Sequence, residues 1–295
     1  MTGPYLPSRP RPGTLPDQAD IARVVRDALA EDLRYGPDVT TTAIIPADAV
    51  AVADIVARQP GVIAGLPVAA AVLEATGGGD LELMCADGDS VKAGEVIARI
   101  RGPLGAMLGA ERTLLNFLTH LSGIATATRA WADAIEGTGA SVRDTRKTLP
   151  GLRVLEKYAV RCGGGVNHRM GLGDAALIKD NHVAFAGSVA AAYRAVRAAS
   201  PDVLVEVECD TLPQVAEALE AGATLVLLDN MSLDQLRTAV AMAVPYPVAR
   251  LEASGGLHLD SARAVAETGV HYLAVGALTH SSPALDLGLD LTSPI

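Results

Sequence analysis

Residues 203–230 read VLVEVECDTLPQVAEALEAGATLVLLDN, and this stretch decides the fold. Val203 to Val207 is a short apolar run, 212–221 keeps a helical spacing, and Thr224 to Leu228 is a second apolar run. Strand, helix and strand in such close succession make a parallel βα unit, because parallel strands need a crossover and a helix supplies it. The same alternation runs through the rest of the chain beyond position 140. Further apolar runs lie at Ser141-Val142, Ala175 to Ile178, Val248 to Leu251 and Tyr272 to Val275. Helix-like stretches at 186–199, 232–242 and 259–268 separate most of them. The pattern predicts a barrel or a doubly wound parallel sheet. No GxGxxG follows the first strand, which counts against a dinucleotide site.

The ends of these runs carry the chemistry. They finish in Asp144-Thr-Arg-Lys147, Lys179-Asp-Asn-His182, Glu206-Val-Glu208, Asp229-Asn230, Glu252-Ala-Ser-Gly-Gly256 and Gly276. Charged or glycine residues thus recur at the C-terminal ends of the strands, the face on which a barrel builds its active site. Residues 143–182 hold eight lysines and arginines against four acids, inside a chain of net charge −10. A cationic cluster in an acidic protein points to a small polyanion, although paired surface charges would look similar by count.

The N-terminal part is different. Residues 17–33 fit an amphipathic helix capped by Asp17 or Asp20 and stopped by Gly36-Pro37. A strand is predicted at 49–58, a turn at Pro60-Gly61 and a short helix from Pro67 to Ala75. Residues 87–100 alternate around Gly94 and read as a hairpin, and Gly109 to Ile135 is a helical pattern broken near Ser122-Gly123. We therefore expect a loose tail over 1–16, an α+β domain over 17–115, an α/β-barrel domain over 116–280, and a last segment, 281–295, returning to the N-terminal domain. The tail holds five prolines and two arginines without an apolar core, so it does not read as a signal peptide.

Composition removes several classes of function. Apolar residues make up 49% of the chain, enough for a large core and too many for wholesale disorder. No apolar run approaches the 18–20 or so residues that cross a bilayer. The net negative charge and the scarcity of aromatic residues argue against nucleic acid or a membrane surface as partner. Three widely spaced cysteines, Cys85, Cys162 and Cys209, suit a reducing cytoplasm and form no metal motif.

The strand ends divide into three chemical sets. Arg146, Lys147, Arg169 and Lys179 suit carboxylates and phosphates. Glu208 and Asp229 suit sugar hydroxyls or magnesium. Gly255-Gly256 and Gly276 lack a Cβ, so their N–H groups can approach phosphate oxygens, with the start of a helix near Asp260 adding a positive end. A ligand with carboxylates, a ribose diol and phosphates would use all three, which fits a nucleotide-forming transferase better than a hydrolase.

These residues resemble a known family. Asp144-Thr-Arg-Lys-Thr148, Gly163-Gly-Gly-Val-Asn-His-Arg-Met-Gly-Leu172, Ile178-Lys-Asp-Asn-His182, Leu228-Asp-Asn230, Glu252-Ala-Ser-Gly-Gly256 and Val275-Gly-Ala-Leu-Thr-His280 closely resemble the quinolinate phosphoribosyltransferases. Glu31-Asp-Leu, Gly36, Asp38-Val-Thr40 and Gly109-Ala-Glu-Arg-Thr-Leu-Leu-Asn116 match as well, so the resemblance covers roughly 20–290 in order. It implies an N-terminal α/β sandwich, a C-terminal incomplete α/β barrel of parallel strands, and a homodimer or a hexamer of dimers. It also implies transfer of phosphoribose from phosphoribosyl pyrophosphate to quinolinate with loss of carbon dioxide, giving nicotinate mononucleotide for NAD biosynthesis.

Carried over motif by motif, the resemblance places Thr145, Arg146, Lys147, His168, Arg169 and Lys179 around the quinolinate carboxylates and the pyrophosphate. Glu208 and Asp229 fall on the ribose hydroxyls, and Ser254, Gly255, Gly256 and Gly276 around the 5′-phosphate. Arg112 would enter the acceptor pocket from the neighbouring subunit. Lys147, Lys179, Glu208 and Asp229 are the expected catalytic groups, with Mg2+ bound through the donor and no dedicated protein metal site.

Other residues read more plainly. Lys157 and Arg161, four apart, fit an exposed helix face, and Glu206 fits a core-facing or supporting partner of Glu208. His280 fits either a phosphate contact or a strand cap, and His120, His258, His271 and the cysteines fit structural roles. Two alternatives differ in kind. A related transferase could take nicotinate without releasing carbon dioxide. The 87–105 segment also resembles the hairpin of biotin or lipoyl carriers, although Lys92 precedes Gly94 instead of following it.

Overall fold

A computed structural model describes residues 15–294, and most of the loose tail expected over 1–16 lies outside the described residues. The chain forms two compact units. One contains 130–147 and 165–277; the other contains 15–129, 148–164 and 278–294.

The strands in chain order are β1 (Val50–Ala57), β2 (Gly61–Val62), β3 (Asp80–Leu83), β4 (Ser90–Val91), β5 (Val96–Pro103), β6 (Ser141–Arg143), β7 (Ala175–Ile178), β8 (Leu204–Cys209), β9 (Leu225–Asp229), β10 (Arg250–Ser254), β11 (Tyr272–Ala274) and β12 (Leu287–Pro294). In the unit that holds the N-terminal part, the sheet order is β12-β1-β5-β3, antiparallel throughout, and β2 pairs separately with β4. The N-terminal helix runs Gln18–Asp32, with the Asp17 carboxylate accepting from the Ala19 amide and Ile21, Val24 and Val25 buried. Helix Leu66–Thr76 starts with proline in its first turn, where a missing N–H costs nothing, and ends at Gly77.

Three local expectations are corrected in this unit. Residues 87–100 are not a hairpin: Ser90–Val91 pairs with β2, whereas Val96–Pro103 pairs with β1 and β3. The carrier-like reading loses its structural basis with it. The long helix is unbroken over Leu104–Ala134. Ser122 accepts from the Ala64 amide at 3.0 Å, and a Cβ on Gly123 would lie 2.1 Å from the Pro283 carbonyl oxygen. The small residues are there for close packing, not for a break. Finally, Lys157, on helix Arg153–Cys162, is fully buried rather than exposed.

A prediction follows from Gly123. Its helical backbone suits any residue, so the cost of Gly123→Ala is purely steric, and backbone on the far side cannot yield cheaply. Overpacking of this kind costs about 1–3 kcal/mol. Equilibrium denaturation should show that loss with an unchanged slope; an unshifted midpoint would show that 283–284 moves aside freely.

The other unit contains the parallel sheet, in the order β6-β11-β10-β9-β8-β7. Every neighbouring pair is parallel. The order follows the chain except that β6 lies beside β11, so the sheet winds as a barrel and stays open between β6 and β7. At that seam Val166 bridges to Arg143, its amide donating to the Val142 carbonyl at 2.9 Å. Helices Val189–Ala199, Leu212–Glu220 and Leu233–Ala243 form the crossovers, each opened by a Ser or Thr cap. The predicted helix at 186–199 is Val189–Ala199, and a further short helix, Asp180–Ala186, precedes it, parted from it at Gly187 with φ +86°. The predicted helix at 259–268 shrinks to a 3-10 turn, Leu259–Ser261, and Ala262–Ala266. The dipole expected near Asp260 is correspondingly small.

Candidate active site

Because the six strands are parallel, all their C-terminal ends share one rim, and the residues singled out in the sequence stand on it. Arg146 and Lys147 follow β6, Lys179 follows β7, and Glu208 lies near the end of β8. Asp229 ends β9, Ser254 ends β10 with Gly255 and Gly256 next, and Gly276 follows β11.

Contacts join neighbours along the rim. The Lys179 ammonium pairs with the Glu208 carboxylate. Lys179 is also the N-cap of the following helix, its amide donating to His182 Nδ1 at 2.9 Å. Asp229 accepts from the side-chain amide of Asn230, whose own backbone amide donates to the Ser254 carbonyl at 2.9 Å. Asn230 is the described non-glycine residue with positive φ, at 54°. Gly255, at φ +87°, packs so closely on it that a Cβ would lie 2.3 Å from Asn230 Oδ1. The glycine is thus required by close approach and by backbone conformation together. Thr145 helps to shape the first loop, its Oγ1 accepting from the Lys147 amide at 2.9 Å.

Arg146 and Arg169 are the central pair. Each has a buried Nε with no hydrogen-bond partner. Burial lowers the Arg169 pKa, and the neighbouring Arg146 charge lowers it further. Two guanidiniums that repel each other and keep buried donors unused are chemically suited to an anion, because orphaned buried donors are costly. Arg169 is braced by its Nη1, which donates to the Ala175 carbonyl at 3.0 Å. Asp174 accepts the next two amides, those of Met170 and Gly171, at 2.6 and 2.8 Å.

Behind the rim lies a buried cluster that the strand-end reading did not assemble: Arg143, His168, Glu206 and Glu252. Arg143 Nη1 donates to Glu252 Oε2 at 2.5 Å and lies 3.8 Å from Glu206 Oε1. His168 Nε2 lies 2.7 Å from Glu206 Oε2 and 3.7 Å from Glu252 Oε1. Burial pushes the Glu206 and Glu252 carboxyls up to about 7, and for Glu252 the adjacent Glu206 adds to the rise. Burial works against the Arg143 charge, yet Glu252 and Glu206 outweigh it and raise its pKa. The sequence signal for this cluster was the two-residue alternation that turns Glu206 the same way as Glu208; Arg143 and Glu252 stood out only as charges at strand ends, with nothing to pair them.

Not all expected residues stand on this rim. Arg112 is exposed on the long helix Leu104–Ala134, in the other unit. His280 also belongs to that unit, its Nδ1 lying 2.6 Å from Ser281 Oγ. Of the remaining histidines, His120 Nε2 lies 2.9 Å from Glu156, and His271 Nδ1 accepts from the Leu251 amide at 3.1 Å.

Comparison with known proteins gives the site a context. The model of the N-terminal domain of quinolinate phosphoribosyl transferase matches residues 38–122, and that of the C-terminal domain matches 124–290. The nicotinate-nucleotide pyrophosphorylase [carboxylating] of Mycobacterium leprae is 54% identical over 277 residues, covering 92% of this chain and 98% of its own. A probable enzyme of the same name from Bacillus subtilis is 45% identical, over 81% of this chain and 83% of its own. The solved nicotinate-nucleotide pyrophosphorylase of Francisella tularensis superposes with a TM-score of 0.89 at 37% identity, covering 94% and 97% of the two chains. Human nicotinic acid phosphoribosyltransferase, at 14% identity and a TM-score of 0.64 over 95% and 75%, shares the fold alone.

Proposed function

The chain belongs to the quinolinate phosphoribosyltransferase family, and from that premise we propose how its own residues carry the reaction. It transfers phosphoribose from phosphoribosyl pyrophosphate to quinolinate with decarboxylation, releasing pyrophosphate and forming nicotinate mononucleotide for de novo NAD biosynthesis. The observation that carries our assignment of the acceptor site is the pair Arg146 and Arg169, each with an unused buried Nε. Two adjacent guanidiniums match the two carboxylates of a dianionic ring better than the single carboxylate of nicotinate.

In this reading Thr145, Arg146, Lys147, Arg169 and Lys179 hold quinolinate and the pyrophosphate, and Glu208 and Asp229 hold the ribose hydroxyls. Ser254, Gly255, Gly256 and Gly276 receive the 5′-phosphate through backbone donors. Both substrates are anions, so the cations bring them together and stabilise the departing pyrophosphate. As the C1–O bond loosens, positive charge grows on the ribose ring beside Glu208 and Asp229. The pyridine nitrogen attacks from a fixed position, which supplies much of the rate. The ring nitrogen is then cationic and stabilises the electron pair left on C2 when the 2-carboxylate departs as carbon dioxide, and a proton taken up from water at C2 completes nicotinate mononucleotide.

Mg2+ would be carried by the donor, with Glu208 and Asp229 the nearest carboxylates of the rim, and would supply charge neutralisation at the leaving group. The buried group with ligand spacing among the described residues, His168, Glu206 and Glu252, does not suit it. Arg143 already places a positive charge there, and His168 Nδ1 accepts the Arg169 amide at 2.7 Å, leaving Nε2 to carry the proton. We further propose a homodimer, alone or as the unit of a hexamer, in which Arg112 completes the neighbouring subunit's acceptor site. No helix of the described residues is long and apolar enough to cross a membrane. The free cysteines favour a cytoplasmic setting.

The direct test is turnover with product mass. Quinolinate and phosphoribosyl pyrophosphate should yield nicotinate mononucleotide and one carbon dioxide per turnover, whereas nicotinate should be a poor acceptor. Efficient use of nicotinate would overturn the two-carboxylate reading. Glu208→Gln should reduce kcat by about a hundredfold while leaving quinolinate affinity nearly unchanged, since its charge acts where positive charge develops. The opposite split, weakened quinolinate binding with normal kcat, would remove Glu208 from the ribose.

A further inference from the structure

We propose that His168 is a neutral positioning residue, held from behind by Glu206 and aiming Arg169 at the acceptor, and not a cation that meets the acceptor itself. The proposal rests on the acceptor assignment made above and gives the buried cluster a part in it. The ring geometry decides the protonation. Nδ1 accepts a hydrogen bond from the Arg169 backbone amide at 2.7 Å, so it carries a lone pair and no proton. Nε2 lies 2.7 Å from Glu206 Oε2, and one proton must stand between two such atoms. With Nδ1 bare, that proton makes a neutral imidazole of the Nε2–H tautomer. Both ring nitrogens are engaged inward, and the side chain is almost wholly buried.

What the histidine fixes is the loop in front of it. Its backbone amide donates to Asp144 Oδ1 at 2.7 Å, and the Asn167 side chain donates to Asp144 Oδ2 at 2.5 Å. Val166 is bridged to Arg143 at the barrel seam. The Arg169 amide is locked onto the imidazole, so the residue that offers an unused guanidinium donor is tied through one ring to Glu206 on β8. Rotating the ring away would release that amide and let the Arg169 backbone drift.

A neutral histidine requires the glutamates themselves to settle the charge of the cluster. Arg143 is one cation facing two carboxylates, and each glutamate keeps one buried oxygen, Oε1, with no hydrogen-bond partner. Counted over these four residues, a neutral His168 leaves one negative charge in excess. A second proton on the glutamate pair removes it, and an unpartnered Oε1 is where such a proton has room. The raised pKa of both carboxyls is in keeping with one of them staying protonated near neutrality. Glutamine is an isostere of the protonated acid, so Glu206→Gln preserves both the acceptor for Nε2–H and the charge balance, whereas Glu206→Ala removes the support.

Two measurements test this independently. Protein labelled with 15N-histidine, with the His168 signals identified by their loss in His168→Gln, reports the tautomer without any substrate. The expected result is a bare Nδ1 and a protonated Nε2 near neutral pH; an imidazolium, or the opposite tautomer, would overturn the proposal. In steady-state kinetics Glu206→Ala should raise the quinolinate KM by about ten- to a hundredfold, with the phosphoribosyl pyrophosphate KM within about twofold. Glu206→Gln should recover most of that loss, and His168→Gln should outperform His168→Lys. Equal damage from Glu206→Gln and Glu206→Ala, or a better His168→Lys, would mean that a charged histidine is needed. If the wild-type protein fails to use quinolinate, the acceptor assignment falls, while the tautomer measurement still decides the role of His168 in the loop. If Glu206→Ala does not fold, the kinetics of Glu206→Gln and the tautomer of His168 decide between the neutral and the charged ring.

Discussion

Lys179→Ala lowers turnover by about a thousandfold or more while the circular dichroism spectrum and the unfolding midpoint stay close to wild type. The two halves of this expectation have different physical sources. Lys179 is half exposed on the rim, and its partner is the Glu208 carboxylate. An ion pair with that much water around it contributes at most about 1 kcal/mol to stability, so the fold loses little. Its value lies in compensating the charge of the ligands. Without the ammonium, Glu208 stands uncompensated beside two anionic substrates, which adds repulsion to the lost attraction. A single well-placed electrostatic group of this kind is worth about 10²–10³ in rate, and the liberated Glu208 charge raises that figure. Near-normal activity in a protein with normal circular dichroism would take Lys179 out of the mechanism.

The second large effect concerns assembly. In the dimer we propose, Arg112 acts in the partner's site and Lys179 in its own, so Arg112→Ala and Lys179→Ala homodimers should each be almost inactive. A mixed dimer should recover one site: the subunit that keeps Lys179 receives an intact Arg112 from the other, while the second site lacks both. Random reassortment of equal amounts makes about half the dimers mixed, each with one of two sites, so roughly a quarter of wild-type activity returns. The subunits are best co-expressed, or unfolded and refolded together, because a large interface exchanges slowly. Mixed dimers shown to be present and yet as inactive as the parents would mean that Arg112 does not act across the interface. Its exposure on the long helix is compatible with a contact outside its own subunit.

Much of this site is legible along the chain. Parallel strands at 175–178 and near 204–208 and 225–229 are short apolar runs between helical stretches, and a period-2 or period-3.6 pattern is local information. Once the strands are parallel, their charged C-terminal ends must meet on one rim, so Lys179, Glu208, Asp229 and Ser254 could be grouped from sequence order alone. Propensity also placed caps and turns well, as at Asp17 and Pro67. The failures came where one segment is shaped by another far away. Ser122-Gly123 looks like a helix break, and only contact with Ala64 and Pro283 turns it into a packing site. Residues 87–100 alternate like a hairpin, but strand partners are chosen by the sheet, which gives 90–91 to β2 and 96–103 to β1.

Charge burial divides the two levels most clearly. The sequence by itself determined the parallel βα repeat, the cationic stretch 143–182 and the kind of ligand they suit, because periodicity and charge are properties of neighbours along the chain. It did not determine that Lys157, patterned like a surface residue, is wholly buried, or that Arg143, His168, Glu206 and Glu252 meet in one cluster. Those four come from β6, the seam loop, β8 and β10, up to 109 positions apart. A buried charge is tolerable only when opposite charges and hydrogen-bond partners surround it. The barrel alone supplies those partners, so the protonation of His168 and the aim of Arg169 are decided by the tertiary structure.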